Sequence, residues 1–193
     1  MLPIPVMQQI QEEFLDYRGM GASIIEISHR SKEFDEVINR CDELIRDVAS
    51  LPENYQILYT HGGAQMQFSA VPLNLLGLKP AHKAVYSETG NFSSLANKEA
   101  ARYGEIIIVN SGAETNYDRI PPLGRDMIED DVSYAFITSN NTIYGTQYDV
   151  LPDLNDIPLV VDSTSDIFSR RLDFSKLGLV FAGLQKNLGP AGI

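Results

Sequence analysis

Six short apolar runs constrain this chain more than any other feature: residues 57–59, 84–86, 106–109, 134–137, 159–161 and 179–181. Each is too short for a helix and apolar throughout, the pattern of a strand buried on both faces. The stretches 65–76 and 93–103 between them have the make-up of helices. Strands alternating with helices build a largely parallel sheet, so the expected class is α/β, a three-layer α/β/α arrangement on a mostly parallel mixed sheet. The first fifty residues read differently. Val6, Ile10 and Phe14 recur at helical spacing before Gly19 and Gly21. Phe34, Val37, Ile38, Cys41, Leu44, Ile45 and Val48 form a longer stripe, with Ser31 as the expected N-cap and Pro52 as the stop.

Charge and composition remove several functions. The net charge is −11 with no cluster of Lys or Arg, so the basic footprint of a nucleic-acid binder is missing. No apolar stretch is long enough to span a bilayer. The start has no basic segment before an apolar core, so no secretory signal is expected. A single cysteine, Cys41, excludes an internal disulfide and fits a reducing cytoplasm. His29, His61 and His82 stand far apart and no cysteines pair, so no metal is expected.

In a parallel sheet, ligands bind beyond the carboxyl ends of the strands, and the residues after each run carry the chemistry. After the first run come His61-Gly62-Gly63-Ala64-Gln65; the glycines allow a tight turn, and the helix amides that follow suit a phosphate, or the segment is a plain turn. After the second comes Phe92, a stacking face for a planar ligand or a core residue. After the fourth comes a polar loop, residues 138–145, that either holds ligand oxygens or satisfies the strand end. The fifth ends in Asp162, a presented carboxylate or a cap. The sixth is followed by Lys186 ahead of a Gly/Pro turn. A lysine there is expected to be poorly solvated and nucleophilic, the alternative being a surface side chain.

Together these residues meet the demands of one cofactor, pyridoxal 5'-phosphate: an amine for its aldehyde, a carboxylate for the ring nitrogen, a flat face and a phosphate cup. Lys186, Asp162, Phe92 and the turn at Gly62–Gln65 supply all four. Glu26–Phe34 "EISHRSKEF", His61–Leu76 "HGGAQMQFSAVPLNLL", Thr89–Phe92 "TGNF", Asn141–Gly145 "NTIYG", Val160–Arg170 "VVDSTSDIFSR" and Phe181–Gly192 "FAGLQKNLGPAG" closely resemble the phosphoserine aminotransferases, a class V group within the fold-type-I pyridoxal-phosphate enzymes.

The resemblance implies that Lys186 bears the cofactor and moves the substrate proton, and that Asp162 pairs with the ring nitrogen. Ala64, Gln65 and Gln185 would reach the phosphate, Thr142 the phenolic oxygen, and Phe92 would stack on the ring. His29 and Arg30 would bind anionic substrate, partly across a homodimer interface. The implied reaction converts 3-phosphohydroxypyruvate and glutamate into O-phosphoserine and 2-oxoglutarate, a cytoplasmic step of serine biosynthesis. Members carry tryptophan where this chain has Phe92, and Arg or Ser at Gln65 in some cases. They are also longer. The expected division is therefore an N-terminal helical segment, 1–20, then a partial cofactor domain, 21–193, with the C-terminal small domain absent. Other class V aminotransferases, of the alanine– or serine–glyoxylate type, and a non-catalytic fragment of this fold are the alternatives.

Overall fold

The computed structural model describes residues 2–190. The chain divides into two compact units, Met1–Ile57 and Leu58–Ile193. The first unit holds α1 (Ile4–Leu15) and α2 (Lys32–Ala49). Pro5 sits in the first turn of α1, where a missing N–H costs nothing. Ser31 caps α2 as expected: its Oγ accepts the Phe34 N–H at 3.2 Å, and Glu33 and Asp35 add negative charge at the positive end of the helix. Ser50, in the left-handed conformation, ends it before Pro52. The apolar stripe of α2 is only partly covered, and Leu44 and Val48 are exposed.

The second unit contains α3 (Gly63–Leu75), β1 (Lys83–Glu88), α4 (Asn91–Ala100), β2 (Glu105–Ser111) and β3 (Val132–Thr138). It continues with a short hairpin, β4 (Asn140–Asn141) and β5 (Thr146–Gln147), then β6 (Leu159–Asp162) and β7 (Leu179–Phe181). Five of the six apolar runs are strands of one sheet, in the order β2-β1-β3-β6-β7, and every neighbouring pair is parallel. The antiparallel pair is the separate β4–β5 hairpin. The run at 57–59 is the exception and forms no strand. Leu58 is 80% exposed there; strand preference depends on a neighbouring strand and an apolar cover, and this stretch has neither.

Alternation along the strands sorts the core. Ala84, Tyr86, Tyr134, Phe136, Val160 and Phe181 face α3 and α4, which contribute Phe68, Val71, Ala96 and Ala100. At the centre Phe136 stacks on Tyr86 with centroids 4.6 Å apart, and Phe68 meets Phe136 edge-on at 6.5 Å. The Tyr86 and Tyr134 hydroxyls satisfy each other at 2.8 Å. Burial pushes both phenols up, Tyr134 to about 12. From the loop after β5, Tyr148 shares a hydrogen bond with Ser87 at the end of β1. Among the described residues, no helix is long and apolar enough to cross a membrane.

Candidate functional site

The strand order reverses between β1 and β3: the chain leaves β1 for β2 on one side, then returns to build β3, β6 and β7 on the other. The β1/β3 boundary is thus a switch point, and the carboxyl ends of the strands there are the usual ligand position in open α/β sheets. The loops after β1 and β3 are tied together there. Thr89 Oγ1, after β1, donates to Asn141 Oδ1, after β3, at 3.2 Å. A Cβ on Gly90 would stand 2.8 Å from that same oxygen, so the close approach of the loops requires glycine. Ser93 Oγ accepts the N–H groups of Thr89 and Gly90, both at 2.9 Å, which fixes the start of α4 and with it Phe92.

β6 delivers Asp162 to this edge, buried. Its Oδ1 accepts the Thr164 hydroxyl at 2.6 Å and the Thr164 N–H at 3.0 Å. Burial pushes the Asp162 carboxyl above the ordinary carboxylate range; the two Thr164 donors and the charge of Lys186 pull it down, and Asp166 adds to the rise. β7 ends at Phe181, in register with Asp162, and the next loop carries Lys186. The Lys186 ammonium lies over the Phe92 ring, 4.9 Å from its centroid, a cation–π contact. Phe92 is also partly buried against the core. Lys186 differs from the sequence expectation: it is exposed rather than withdrawn from solvent. The physical reason is that it leaves the strand end within a turn and rests on an aromatic face, not inside the core. The end of its loop, Ala191 and Gly192, lies outside the described residues.

The glycine turn and the lysine loop meet. Gly62, with φ of 86°, caps α3, so the first amides of the helix, at Gly63, Ala64 and Gln65, lack intrahelical acceptors. A Cβ on Gly183 would lie 2.6 Å from Gln185 Oε1 and 3.3 Å from the Ala64 Cβ. Ala64, Gln185 and Lys186 are thereby gathered at one place, next to the helix end that best accommodates an anion. Gln65 is exposed in that first turn, and Thr142 is exposed at the hairpin tip beside Asn141. His29 and Arg30 are exposed in the turn ahead of α2, in the first unit, where the Arg30 N–H donates to Ser28 Oγ at 3.2 Å. The donor set fits pyridoxal phosphate: a buried carboxyl, an amine over an aromatic ring, and a helix N-terminus lie at the carboxyl edge of one sheet. Among the described residues, no group of His, Cys, Asp and Glu could hold a metal ion.

Sequence reasoning passed over the residues that support this set. Asp166 is buried, and it accepts hydrogen bonds from Ser139 Oγ, from Ser163 Oγ at 3.0 Å and from Gln147 Nε2 at 2.9 Å. It ties the hairpin root to the turn after Asp162. The only signal was the polar run Ser163-Thr164-Ser165-Asp166 itself, which looks like any surface turn.

Comparison with known proteins agrees with this geometry. The phosphoserine aminotransferase of Bacillus cereus is 44% identical over 192 residues, covering 100% of this chain and 53% of that protein. The structure of phosphoserine aminotransferase from Bacillus circulans subsp. alkalophilus superposes with a TM-score of 0.94 at 39% identity, over 100% of this chain and 53% of that one. A PLP-bound phosphoserine aminotransferase from Trichomonas vaginalis gives 0.89 at 33% identity, again over 100% and 53%. The chain thus spans about half the length of the relatives it matches. The fold is that of the PLP-dependent transferases. The family model described as aminotransferase class-V matches residues 1–193, and the chain belongs to that family.

Proposed function

We propose that the protein to which this chain belongs is a pyridoxal-phosphate-dependent phosphoserine aminotransferase, exchanging amino and keto groups between glutamate and 3-phosphohydroxypyruvate. The observation that carries the reading is the meeting of Asp162, Lys186, Phe92 and Ala64 at the switch point, on a chain 44% identical throughout to such an enzyme. When bound, the cofactor supplies an electron sink for the substrate carbanion. Asp162 would pair with the ring nitrogen, and Thr164 would keep its carboxylate oriented. The Lys186 amine would hold the cofactor's aldehyde and, when free, would accept the proton from the substrate Cα. The α3 amides at Ala64 and Gln65, with Gln185, would bind the phosphate; Phe92 would offer an aromatic face to the ring, and Thr142 would offer a hydroxyl to the phenolic oxygen.

Both substrates are multiply anionic, and a chain of net charge −11 must oppose that locally. The Arg30 guanidinium and the His29 imidazole are the groups we assign to substrate, with a homodimer bringing them to the site. The same reading makes residues 21–193 part of the cofactor domain, 1–20 an N-terminal helical segment, and the enzyme cytoplasmic.

Purified protein mixed with pyridoxal phosphate is expected to develop a visible absorbance band. Borohydride should then fix the cofactor to the peptide containing Lys186, and Lys186→Ala should lose both signals. Glutamate and O-phosphoserine should bleach the band in preference to alanine. The absence of a trappable band would sink the cofactor assignment, and an equal response to alanine would move the substrate assignment to the glyoxylate-type relatives.

A further inference from the structure

We propose that Thr164 is a positioning residue of the site, its hydroxyl bridging the turn that carries Asp162 and the loop that carries Lys186. Thr164 Oγ1 donates its only proton to Asp162 Oδ1, at 2.6 Å, and accepts the Gly183 N–H at 3.2 Å. A hydroxyl has one donor and two acceptor positions, so both bonds form at once. The first is a short O–H···O bond to a buried carboxyl. The second crosses from the end of β6 to the end of β7. An Asx turn after Asp162 accounts for the Thr164 N–H bond alone; it does not account for a hydroxyl reaching an amide 19 residues away.

The bridge has a partner one residue back. The Ser163 N–H donates to Phe181 O at 2.9 Å, and further along Asn187 Nδ2 donates to Ile167 O at 2.7 Å, so among the described residues the two turns are joined by one backbone and two side-chain bonds. Gly183 is buried, and Thr164 is the acceptor that satisfies its N–H there. Because a Cβ at Gly183 would press on Gln185 and Ala64, the position of this amide also sets how closely the lysine loop lies against α3. One hydroxyl therefore links the carboxylate, the lysine loop and the helix end. Thr164 acts through Asp162 and Gly183 and touches no reacting atom. Its functional consequence rests on the pyridoxal-phosphate reading, whereas the bridge itself does not.

Two substitutions separate the roles. Thr164→Ser keeps the hydroxyl and drops the methyl; Thr164→Val keeps the shape and removes both bonds. In the cofactor-free chain, carboxyl NMR, with Asp162→Asn assigning the resonance, reads the titration of Asp162. The groups acting on that carboxyl are the two Thr164 donors, the Lys186 ammonium and the Asp166 carboxyl. Thr164→Val should titrate at higher pH than the wild type, because the charged form loses a donor, while Thr164→Ser should titrate like the wild type. Absorbance titration with pyridoxal phosphate should show roughly tenfold weaker binding for Thr164→Val, about one hydrogen bond's worth, and wild-type affinity for Thr164→Ser. An unmoved titration or an unmoved affinity in folded Thr164→Val overturns the proposal. So does a serine variant as impaired as valine, since the methyl would then be the part that matters. If the valine variant does not fold, the serine variant decides alone: wild-type titration and affinity support the bridge, and loss of either overturns it. Wild-type protein that fails to bind pyridoxal phosphate sinks the cofactor reading and leaves the titration arm to judge the bridge.

Discussion

The two ends of the central sheet carry the same kinds of charge and use them in opposite ways. At the amino ends of the strands, charges neutralise one another in water. Lys83 meets Glu129 at 3.1 Å and Asp131 at 2.8 Å; Arg125 clasps Asp130 and Asp156; Lys176 meets Asp153 at 2.8 Å. Each pair has at least one half-exposed partner or more, so it is screened and contributes little to stability. At the carboxyl ends, among the described residues, neither Asp162 nor Lys186 forms an ion pair. Asp162 is buried and its partners are hydroxyl and amide; Lys186 rests on an aromatic face. At the amino ends these charges pair with one another; at the carboxyl ends, among the described residues, Asp162 and Lys186 do not, although nearby Asp166 stands 4.0 Å from Arg170. Burial separates Asp162 from the exposed amino-end carboxylates.

Both ends hang from the aromatic centre of the sheet, and that centre should respond most. Phe136 is fully buried, stacked on Tyr86 and touched by Phe68. Phe136→Ala is expected to cost about 3–5 kcal/mol by urea denaturation. A loss below about 1 kcal/mol would mean the two ends do not share a rigid base. The site end should come next. Asp166→Ala removes the acceptor common to Ser139, Ser163 and Gln147 and leaves buried donors unpaired, costing about 1–3 kcal/mol. Asp166→Asn, which keeps one acceptor oxygen, should cost less. Equal losses would show that the one oxygen asparagine keeps contributes nothing by itself.

The difference between the ends also explains what the sequence disclosed. Five strands were legible as apolar runs, although only β1, β3 and β6 have buried centres and the edge strand β2 leaves Ile108 exposed; the run at 57–59 misled because apolarity reports the wish for cover and not its presence. Ser31 was legible as a cap because N-capping is local chemistry. Lys186 and Asp162 stood out because a charge at the end of an apolar run is conspicuous. Thr164, Asp166 and Asn141 did not stand out. Their partners, Gly183, Ser139 and Thr89, lie 19, 27 and 52 residues away, and only the β1/β3 reversal brings the last pair together. Short polar residues whose contacts are long-range look like turn residues until the topology is known.

A smaller effect with a distinctive sign comes from Asp162 itself. Burial holds its carboxyl above the ordinary range, so in the cofactor-free chain its contribution to stability is fully present below about pH 4 and is lost as pH rises through its folded value. Asp162→Asn retains an Oδ1 acceptor for Thr164 and removes the buried charge. It should melt above the wild type at pH 7–8, with the gain fading as pH falls toward 4, while the visible band with pyridoxal phosphate is lost or altered. A destabilised asparagine variant at pH 7–8 would mean that the carboxylate is better satisfied in the free chain than its burial implies.

The amino end should show the reverse sign and the smallest effect. Hydrogen bonds from Lys176 hold the Asp153 carboxyl low, and those from Arg125 do the same for Asp156. A depressed carboxyl stabilises above its unfolded value, about pH 4, and that contribution is lost as pH falls through the lower folded value. Lys176→Met is therefore expected to lower the melting temperature only slightly at pH 7, because the pair is exposed, and the difference from the wild type should vanish as pH falls below 4. Thermal melts by circular dichroism from pH 2 to pH 8, run beside Asp162→Asn, compare the two ends directly. The asparagine variant should separate from the wild type as pH rises, and the methionine variant should stay close to it throughout. If Lys176→Met instead destabilised the chain at pH 7 as strongly as Asp166→Ala, the amino-end pairs would be structural ties and not screened surface charges, and burial would no longer be what separates the two ends.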